Sequence, residues 1–295
     1  MPYPWQIVEL DSFKGTVYAK EGQLIIGDNT VSLADISVII LGINCSVHAS
    51  AFDRFAAFEI PILHCDWKGI PYSVTMNWSE NSRVATRHQC QANLSEPRKK
   101  NAWMQIIKAK IRGQAAVLGP INKKASLELI TLSKKVRSGD LSNFEGLAAK
   151  MYWSALFGPA FTRVQSTREY QNGKLDYGYT ILRGITLRAI CATGLWPTLG
   201  IWHRNRSNKF GLVDDLMEPY RPAVDFIVKY RLKNTETLTR DEKQILAKVA
   251  DYHLRAGGFT VGTKIMKLCQ NFANYVESNT DKLSIDIFGG FDERE

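Results

Sequence analysis

One stretch of the chain places a histidine and several carboxylates beside fixed positive charge. His203 precedes the basic polar loop 204–209, and the acidic residues Asp214, Asp215 and Glu218 follow it. An imidazole and carboxylates in such a setting suit a hard divalent metal ion held close to phosphate groups. The stretch therefore predicts metal-assisted chemistry on a phosphate-bearing partner.

The residues alone leave a structural explanation open. His203 and Glu218 lie fifteen positions apart, too far for one helix face, so they meet only if the loop between them folds back. A surface histidine and a helix-end glutamate would explain these two residues equally well. Glu145 is a third candidate, but Ser142 three positions earlier matches a capping box, which would explain it without function. From the residues alone, the structural explanation is favoured at both places.

The charge of the chain points to a polyanionic partner. The formal net charge is +9, which nucleic acid, ribosomal or membrane-surface binding would all explain. No acidic residue occurs between Glu96 and Glu128, and eight basic residues lie in that interval. Such a run is ordinarily a solvated helix face, but the lack of interspersed acids favours a phosphate-contacting surface.

Composition narrows the class of protein. Hydrophobic residues make up 45% and charged residues 23%, as in ordinary globular proteins. The five cysteines are odd in number and none has C-x-x-C spacing, which argues against a zinc knuckle or a disulfide scaffold. No apolar run reaches the roughly 20 residues of a membrane helix, and the first residues lack the pattern of a signal peptide. We expect a cytoplasmic protein without a membrane partner.

The pattern of apolar residues predicts an α+β protein with a small β domain followed by a larger all-helical domain. We predict the β domain over residues 1–78, a linker over 79–88 and the helical domain over 89–295. Expected features of the first domain are a hairpin turning at Glu21–Gly22, strands over 36–41 and 60–65, and a helix over 50–58.

The second domain shows helical periodicity in most of its length. We predict one helical stretch over 89–118, a polar loop over 161–176 and a helix from 177 onward. Thr239 and Glu242 match a capping box that opens another helix. The acidic segment 289–295 is expected to be frayed.

Several motifs together resemble the CRISPR-associated spacer integrases, the Cas1 family. They are Glu145-Gly-x-Ala-Ala-x-x-Tyr-Trp, then His203, Asn208 and Phe210, and then Asp-Leu-Met-Glu-Pro-Tyr-Arg-Pro over 215–222. Segments 31–40 and 60–66 resemble that family's N-terminal β domain, and 175–183 resembles its central helix. The resemblance covers nearly the whole chain. The motif that begins at Glu218 is most similar to that of the branch found beside type II systems.

The resemblance implies a specific activity and a specific set of partners. Members are DNA endonucleases and integrases that join the 3′ ends of short double-stranded DNA fragments to the repeat of a CRISPR array. They form homodimers through the β domain, and two dimers flank a dimer of the small Cas2 protein in a heterohexamer.

The resemblance also assigns a metal site. The metal ligands and catalytic residues correspond to Glu145, His203 and Glu218, with Mn²⁺ or Mg²⁺ as the cofactor. Many relatives carry Asp at the third position, which leaves Asp214, Asp215 and Asp225 as candidate supporting residues.

Basic residues near these motifs become candidate DNA contacts. Contacts of this kind bind the backbone and position a duplex without reading its sequence. The candidates are Arg98, Lys99, Lys108, Arg112, Arg163, Arg168, Arg204, Arg206, Lys209 and Arg221. Two other functions stay open: a DNA-binding scaffold without chemistry, and a metal-dependent repair nuclease with the same site but no integration partner.

Overall fold

The computed structural model of the protein describes residues 6–10, 13–67, 71–76, 81–165, 170–255 and 258–292. Strands dominate its first part and helices the rest, so the α+β prediction is confirmed. One helix, α1 (Ala49–Ala57), interrupts the strands. The strands are β1 (Gln6–Leu10), β2 (Gly15–Lys20), β3 (Gln23–Ile26), β4 (Asn29–Ser32), β5 (Ile36–Leu41), β6 (Cys45–Val47), β7 (Ile62–Cys65) and β8 (Pro71–Thr75).

The strands form two four-stranded sheets, in the orders β1-β5-β7-β8 and β4-β3-β2-β6. In the second sheet, β2 and β3 form the predicted hairpin. Its turn places Glu21 and Gly22 at positive φ, with Lys20 paired to Gln23. In the first sheet, β5 pairs in parallel with β1 and β7, and all six of its residues are buried. Burial on both faces explains why β5 is apolar except for Ser37, whose hydroxyl donates a hydrogen bond to the carbonyl oxygen of Gln6.

Strand β5 separates two cores. Val38 and Ile40 belong to the large helical core, whereas Ile39 and Leu41 face a smaller core within the β region. This division follows from the alternation of side chains along a strand. The first sheet is therefore packed directly against the helical part, and the predicted boundary between two domains stays a prediction.

The helical part contains nine α-helices within the described ranges, and none of them is long and apolar enough to cross a membrane. They are α2 (Val84–Ala92), α3 (Glu96–Leu118), α4 (Lys123–Lys135), α5 (Phe144–Phe157), α6 (Tyr170–Ala192), α7 (Gly211–Met217), α8 (Arg221–Tyr230), α9 (Arg240–Ala247) and α10 (Val261–Val276). Helix α2 begins inside the predicted linker, of which residues 79 and 80 lie outside the described ranges.

Three local predictions for this part are wrong. The helical stretch over 89–118 is divided before α3, where Ser95 is the N-cap and Pro97 lies in the first turn. The predicted loop over 161–176 ends early because α6 starts at Tyr170, and its polar residues have partners elsewhere in the fold. In the segment expected to be frayed, Phe291 is 2% exposed and packs in the core, whereas residues 293–295 lie outside the described ranges.

Candidate active site

The loop before α7 carries His203, and a buried carboxylate holds it in place. Asp215 is completely buried and accepts hydrogen bonds from the backbone N–H groups of Ile201, Trp202 and His203. Its Oδ1 also lies 2.7 Å from Nδ1 of His203. With Nδ1–H donated to Asp215, Nε2 of the imidazole is left to accept a ligand.

The loop approaches α7 closely because glycine stands at the contact. A Cβ at Gly211 would lie 2.7 Å from the carbonyl oxygen of His203. The chain therefore folds back over the interval that separates His203 from Glu218, as the spacing required. The hydrogen bond to Asp215 raises the pKa of His203, although partial burial opposes the protonated form.

Two tryptophans support the imidazole. The ring of Trp103, on α3, stacks on that of Trp202 with centroids 5.4 Å apart and 6° between planes. The same ring meets His203 edge-on at 5.6 Å and 88°. Trp103 is buried, whereas Trp202 is partly exposed. Trp103 thus contacts the histidine ring directly, and Trp202 packs against Trp103.

Glu145 lies in the first turn of α5 and does not serve as a cap. The N-cap is Asn143, and the Asp140 carboxylate accepts two further backbone N–H groups at the helix start. The predicted capping box of Ser142 and Glu145 is therefore wrong, because Ser142 precedes the N-cap. The Glu145 carboxylate is free to bond elsewhere, and its Oε1 accepts a hydrogen bond from Lys110 at 2.7 Å.

Glu218 occupies the junction between α7 and α8. It opens a short 3₁₀ turn, Glu218–Tyr220, and is 2% exposed. Its Oε1 lies 3.2 Å from Nε of Arg221, and its Oε2 lies 2.7 Å from Nζ of Lys110. Burial opposes ionisation, but the positive charges of Arg221 and Lys110 outweigh it and lower the pKa of Glu218.

Lys110 on α3 joins the two glutamates. Its ammonium is 2.7 Å from Glu145 Oε1 and 2.7 Å from Glu218 Oε2. Burial disfavours the ammonium, but the two carboxylates together raise the pKa of Lys110, so the side chain is charged at neutral pH. Oε2 of Glu218 meets this charge as an ion pair, without a donor in hydrogen-bonding geometry among the described residues.

The donor set fits a divalent metal chemically. Two carboxylates face one cation position, and Oε2 of Glu218 is a buried acceptor that lacks a well-aligned donor. The imidazole of His203, whose pKa the charge of Glu218 also raises, has one nitrogen committed to Asp215 and one left for a ligand. Within the described ranges, however, no three His, Cys, Asp or Glu side chains are grouped closely enough to ligate one ion as they stand. The metal-ligand assignment of Glu145, His203 and Glu218 stays a prediction.

Two further acidic residues stabilise the surroundings. Asp214 binds Arg183 at 2.9 Å and Asn208 at 3.1 Å, which holds the loop from the α6 side. Asp225 is buried on α8 and accepts hydrogen bonds from the hydroxyl groups of Tyr152 and Tyr179. Burial raises the pKa of Asp225 to about 6, although these hydroxyl groups favour its ionised form.

Most candidate DNA contacts have partners within the protein. Arg98, for example, donates to the carbonyl oxygens of Tyr275 and Thr280 and therefore ties α3 to the end of α10. Lys99, Arg163, Arg204, Lys209 and Arg221 also bind protein groups. Lys108, Arg112 and Arg206 have no ion pair with any described residue, and Arg168 lies outside the described ranges.

Sequence reasoning missed the role of Lys110. It appeared only as one member of the basic run, although the helical period offers a signal. Lys110 falls in the same stripe of α3 as the buried residues Trp103, Ile107, Gln114 and Val117. A lysine within an apolar stripe indicates a buried anionic partner, because lysine is almost never buried without one.

Comparisons with known proteins agree over nearly the whole chain. The family model described as "CRISPR associated protein Cas1" matches residues 11–250. The CRISPR-associated endonuclease Cas1 of Neisseria meningitidis serogroup C (strain 8013) is 34% identical over 285 residues, which span 92% of each chain.

Solved structures share the fold at lower identity. A casposase bound to its integration product superposes with a TM-score of 0.75 at 19% identity, covering 96% of this chain and 93% of its own. A chain of a Cas6-RT-Cas1–Cas2 complex gives a TM-score of 0.74 at 18% identity, covering 96% of this chain and 36% of its own.

Proposed function

The chain belongs to the Cas1 family of CRISPR-associated proteins, as its motifs predicted, and we propose that it is a metal-dependent DNA endonuclease and integrase that inserts short DNA fragments into a CRISPR array. The observation that carries the proposal is the meeting of Glu145 and Glu218 on one cation beside His203. The endonuclease name of the Neisseria relative and the integration product held by the casposase support it.

The proposed reaction is a transesterification on DNA. The 3′-hydroxyl oxygen of the fragment attacks a phosphorus atom of the repeat. The bond between that phosphorus and the 3′ oxygen of the repeat strand breaks. The attacking hydroxyl loses a proton, and the departing 3′ oxygen gains one. Because one phosphodiester bond replaces another, the reaction requires no energy from a nucleoside triphosphate.

Glu145, Glu218 and Nε2 of His203 are the proposed ligands of Mn²⁺ or Mg²⁺. Carboxylate oxygens suit both ions, and an imidazole favours Mn²⁺. When bound, the ion would lower the pKa of the attacking hydroxyl and neutralise charge on the phosphate in the transition state. Asp215 orients His203 for this role, and the ring of Trp103 packs against the imidazole.

Binding of His203 to a metal requires the neutral imidazole. Since Asp215 raises the pKa of His203, we expect metal loading to weaken on acidification already above the ordinary value of about 6.5.

The DNA backbone needs positive charge near this cluster. Lys108 and Arg112 on α3 and Arg206 in the loop after His203 are the proposed contacts that need not break an ion pair with a described residue. Phosphate contacts of this type would position the duplex, and we propose no base reading by them.

The proposed assembly is a homodimer that acts with Cas2. A chain of the Cas6-RT-Cas1–Cas2 complex shares the fold over almost all of this chain, which supports a Cas2 partner. The heterohexamer of two dimers flanking a Cas2 dimer is part of the same proposal.

A strand-transfer assay tests the function. The protein, its Cas2 partner and Mn²⁺ are mixed with a short duplex bearing free 3′ ends and a supercoiled plasmid carrying a CRISPR repeat. Joined product is expected from the parent and from Glu128→Ala, which removes an exposed carboxylate of α4, but not from Glu145→Ala, His203→Ala or Glu218→Ala.

The same assay separates the alternatives. Equal joining by all variants would contradict the site. DNA binding without joining under either metal would favour the scaffold, and cleavage that does not depend on a free donor 3′-hydroxyl would favour a repair nuclease.

A further inference from the structure

Lys110 occupies the place between the two glutamates that a metal ion would need. Its ammonium contacts one oxygen of each carboxylate at the same distance, 2.7 Å. The side chain comes from α3, whereas Glu145 and Glu218 come from α5 and the α7–α8 junction. Three separate elements therefore converge on this one positive charge.

The local charges balance without any further cation. Glu145 and Glu218 carry two negative charges, and Lys110 and Arg221 carry two positive ones. A divalent cation beside the same oxygens would be repelled by an ammonium in contact with them. Lys110 and the metal cannot both occupy the space between Glu145 Oε1 and Glu218 Oε2.

Lys110 is better able than Arg221 to leave. The Arg221 guanidinium lies over the ring of Tyr179, 4.8 Å from its centroid, and Tyr179 is itself bonded to the buried Asp225. The ammonium of Lys110 ends a flexible four-carbon stem, and its ion pairs with described residues are those with Glu145 and Glu218. Its displacement would leave Glu218 paired with Arg221.

We propose that Lys110 and the divalent ion are alternative partners of Glu145 and Glu218, so that metal binding displaces the ammonium toward the DNA phosphate. The inference rests on the proposed metal site and adds a residue that sets its affinity. Lys110 substitutes for the metal on the carboxylates and, once displaced, remains beside them as a phosphate-binding group.

Metal affinity of Lys110→Met tests the proposal directly. Mn²⁺ binding to chelator-treated protein is measured by titration calorimetry, and thermal midpoints are measured with and without Mn²⁺. We expect Lys110→Met to bind Mn²⁺ at least about tenfold more tightly than the parent, the scale on which neighbours of metal ligands act. Its midpoint should fall without metal and recover most of the loss at saturating Mn²⁺.

Two matched variants isolate the charge. Lys108→Met removes a lysine two positions away on α3 that has no ion pair with a described residue, and should bind Mn²⁺ like the parent. Lys110→Arg keeps the positive charge and should not gain affinity. If Lys110→Met is unfolded without metal, refolding on addition of Mn²⁺ supports the proposal and failure to refold opposes it.

The outcomes separate this inference from the function. Unchanged or weaker Mn²⁺ binding by Lys110→Met overturns the competition, while the metal site stands if Glu145→Ala, His203→Ala and Glu218→Ala lose binding. Absence of Mn²⁺ binding in the parent together with binding in Lys110→Met supports the competition. No binding in either protein overturns both.

Discussion

Two lysine–glutamate clusters in this protein differ in their charges and in their surroundings. Lys174 on α6 is 1% exposed, and its ammonium bonds to Glu242 at 2.6 Å, to Thr235 at 2.8 Å and to the carbonyl of Lys233. Glu242 in turn accepts the Thr239 backbone N–H at 3.0 Å in the confirmed capping box of α9. Three protons meet three acceptors, so this cluster is complete.

The Lys110 cluster is not complete in this sense. One ammonium serves two carboxylates, and Oε2 of Glu218 lacks an aligned donor. A saturated buried ion pair fixes chain segments to one another, whereas an unsaturated one retains capacity for a ligand. The comparison favours a structural role for the first cluster and agrees with the proposed chemical role of the second.

The largest expected effect distinguishes Glu218 of the Lys110 cluster from Glu242 of the Lys174 cluster. Glu218→Ala should lower the joining rate by roughly 1,000-fold, since loss of a ligand removes several kcal/mol of transition-state stabilisation. Glu242→Ala should lower the thermal midpoint and leave the joining rate of the folded protein near that of the parent. Comparable rate losses in both variants, measured below their midpoints, would contradict the assignment.

A large stability effect is expected from the lysine of the complete cluster. Lys174→Met should reduce the free energy of unfolding by about 3–5 kcal/mol, because it leaves the buried Glu242 without its cation. Urea denaturation monitors the loss, and Mn²⁺ affinity should not change. Pairing the substitution with Glu242→Gln should restore part of the stability; no restoration would indicate that the cost arises from packing.

Asp225 extends the comparison of buried carboxylates, because it accepts hydrogen bonds from hydroxyl groups and not from an ammonium. Its pKa rises to about 6 in the fold from an ordinary 3.8, so the folded protein binds this proton more tightly than the unfolded chain. The resulting stability is fully present below pH 4 and is lost as the pH rises to about 6, by up to roughly 3 kcal/mol.

Urea unfolding of Asp225→Asn at several pH values checks this sign. The parent should lose stability relative to the variant between pH 4 and 6, with a constant difference above that window. A difference that does not change with pH in this interval would show that the raised pKa is wrong.

The smallest expected effects concern DNA binding. Arg206→Ala should weaken binding to duplexes of any sequence and reduce the salt slope by about 1, as loss of one phosphate contact does. Arg98→Ala should instead reduce stability, because Arg98 is committed to carbonyl groups at the end of α10. A larger change in salt slope for Arg98→Ala than for Arg206→Ala would reverse the two roles.

Much of the fold follows from local patterns. The apolar run of β5, the hairpin at Glu21–Gly22 and the capping box at Thr239 were all predicted, because each depends on neighbours in the sequence. The start of α6 was not, because its polar residue Lys174 is stabilised by Glu242, which is distant in the chain. Contacts with distant residues stabilise a helix in a segment whose composition predicts a loop.

The candidate site divides in the same way. The motifs predicted that Glu145, His203 and Glu218 belong to one site, and the fold brings the two glutamates onto one ammonium. The bond from His203 to Asp215 depends on how the loop folds back, which its sequence left open. The position of Lys110 depends on which helices meet α3.

From the sequence we predicted the family, a strand-rich part followed by a helical part, and the residue types suited to binding a metal. These predictions rest on the periodicity of apolar residues and on motifs, both of which are visible in the sequence. Only the tertiary structure decided that Lys110 binds both glutamates while Arg98 anchors a helix end. Both are basic residues of one helix, and the acceptors that distinguish them come from segments distant in the chain.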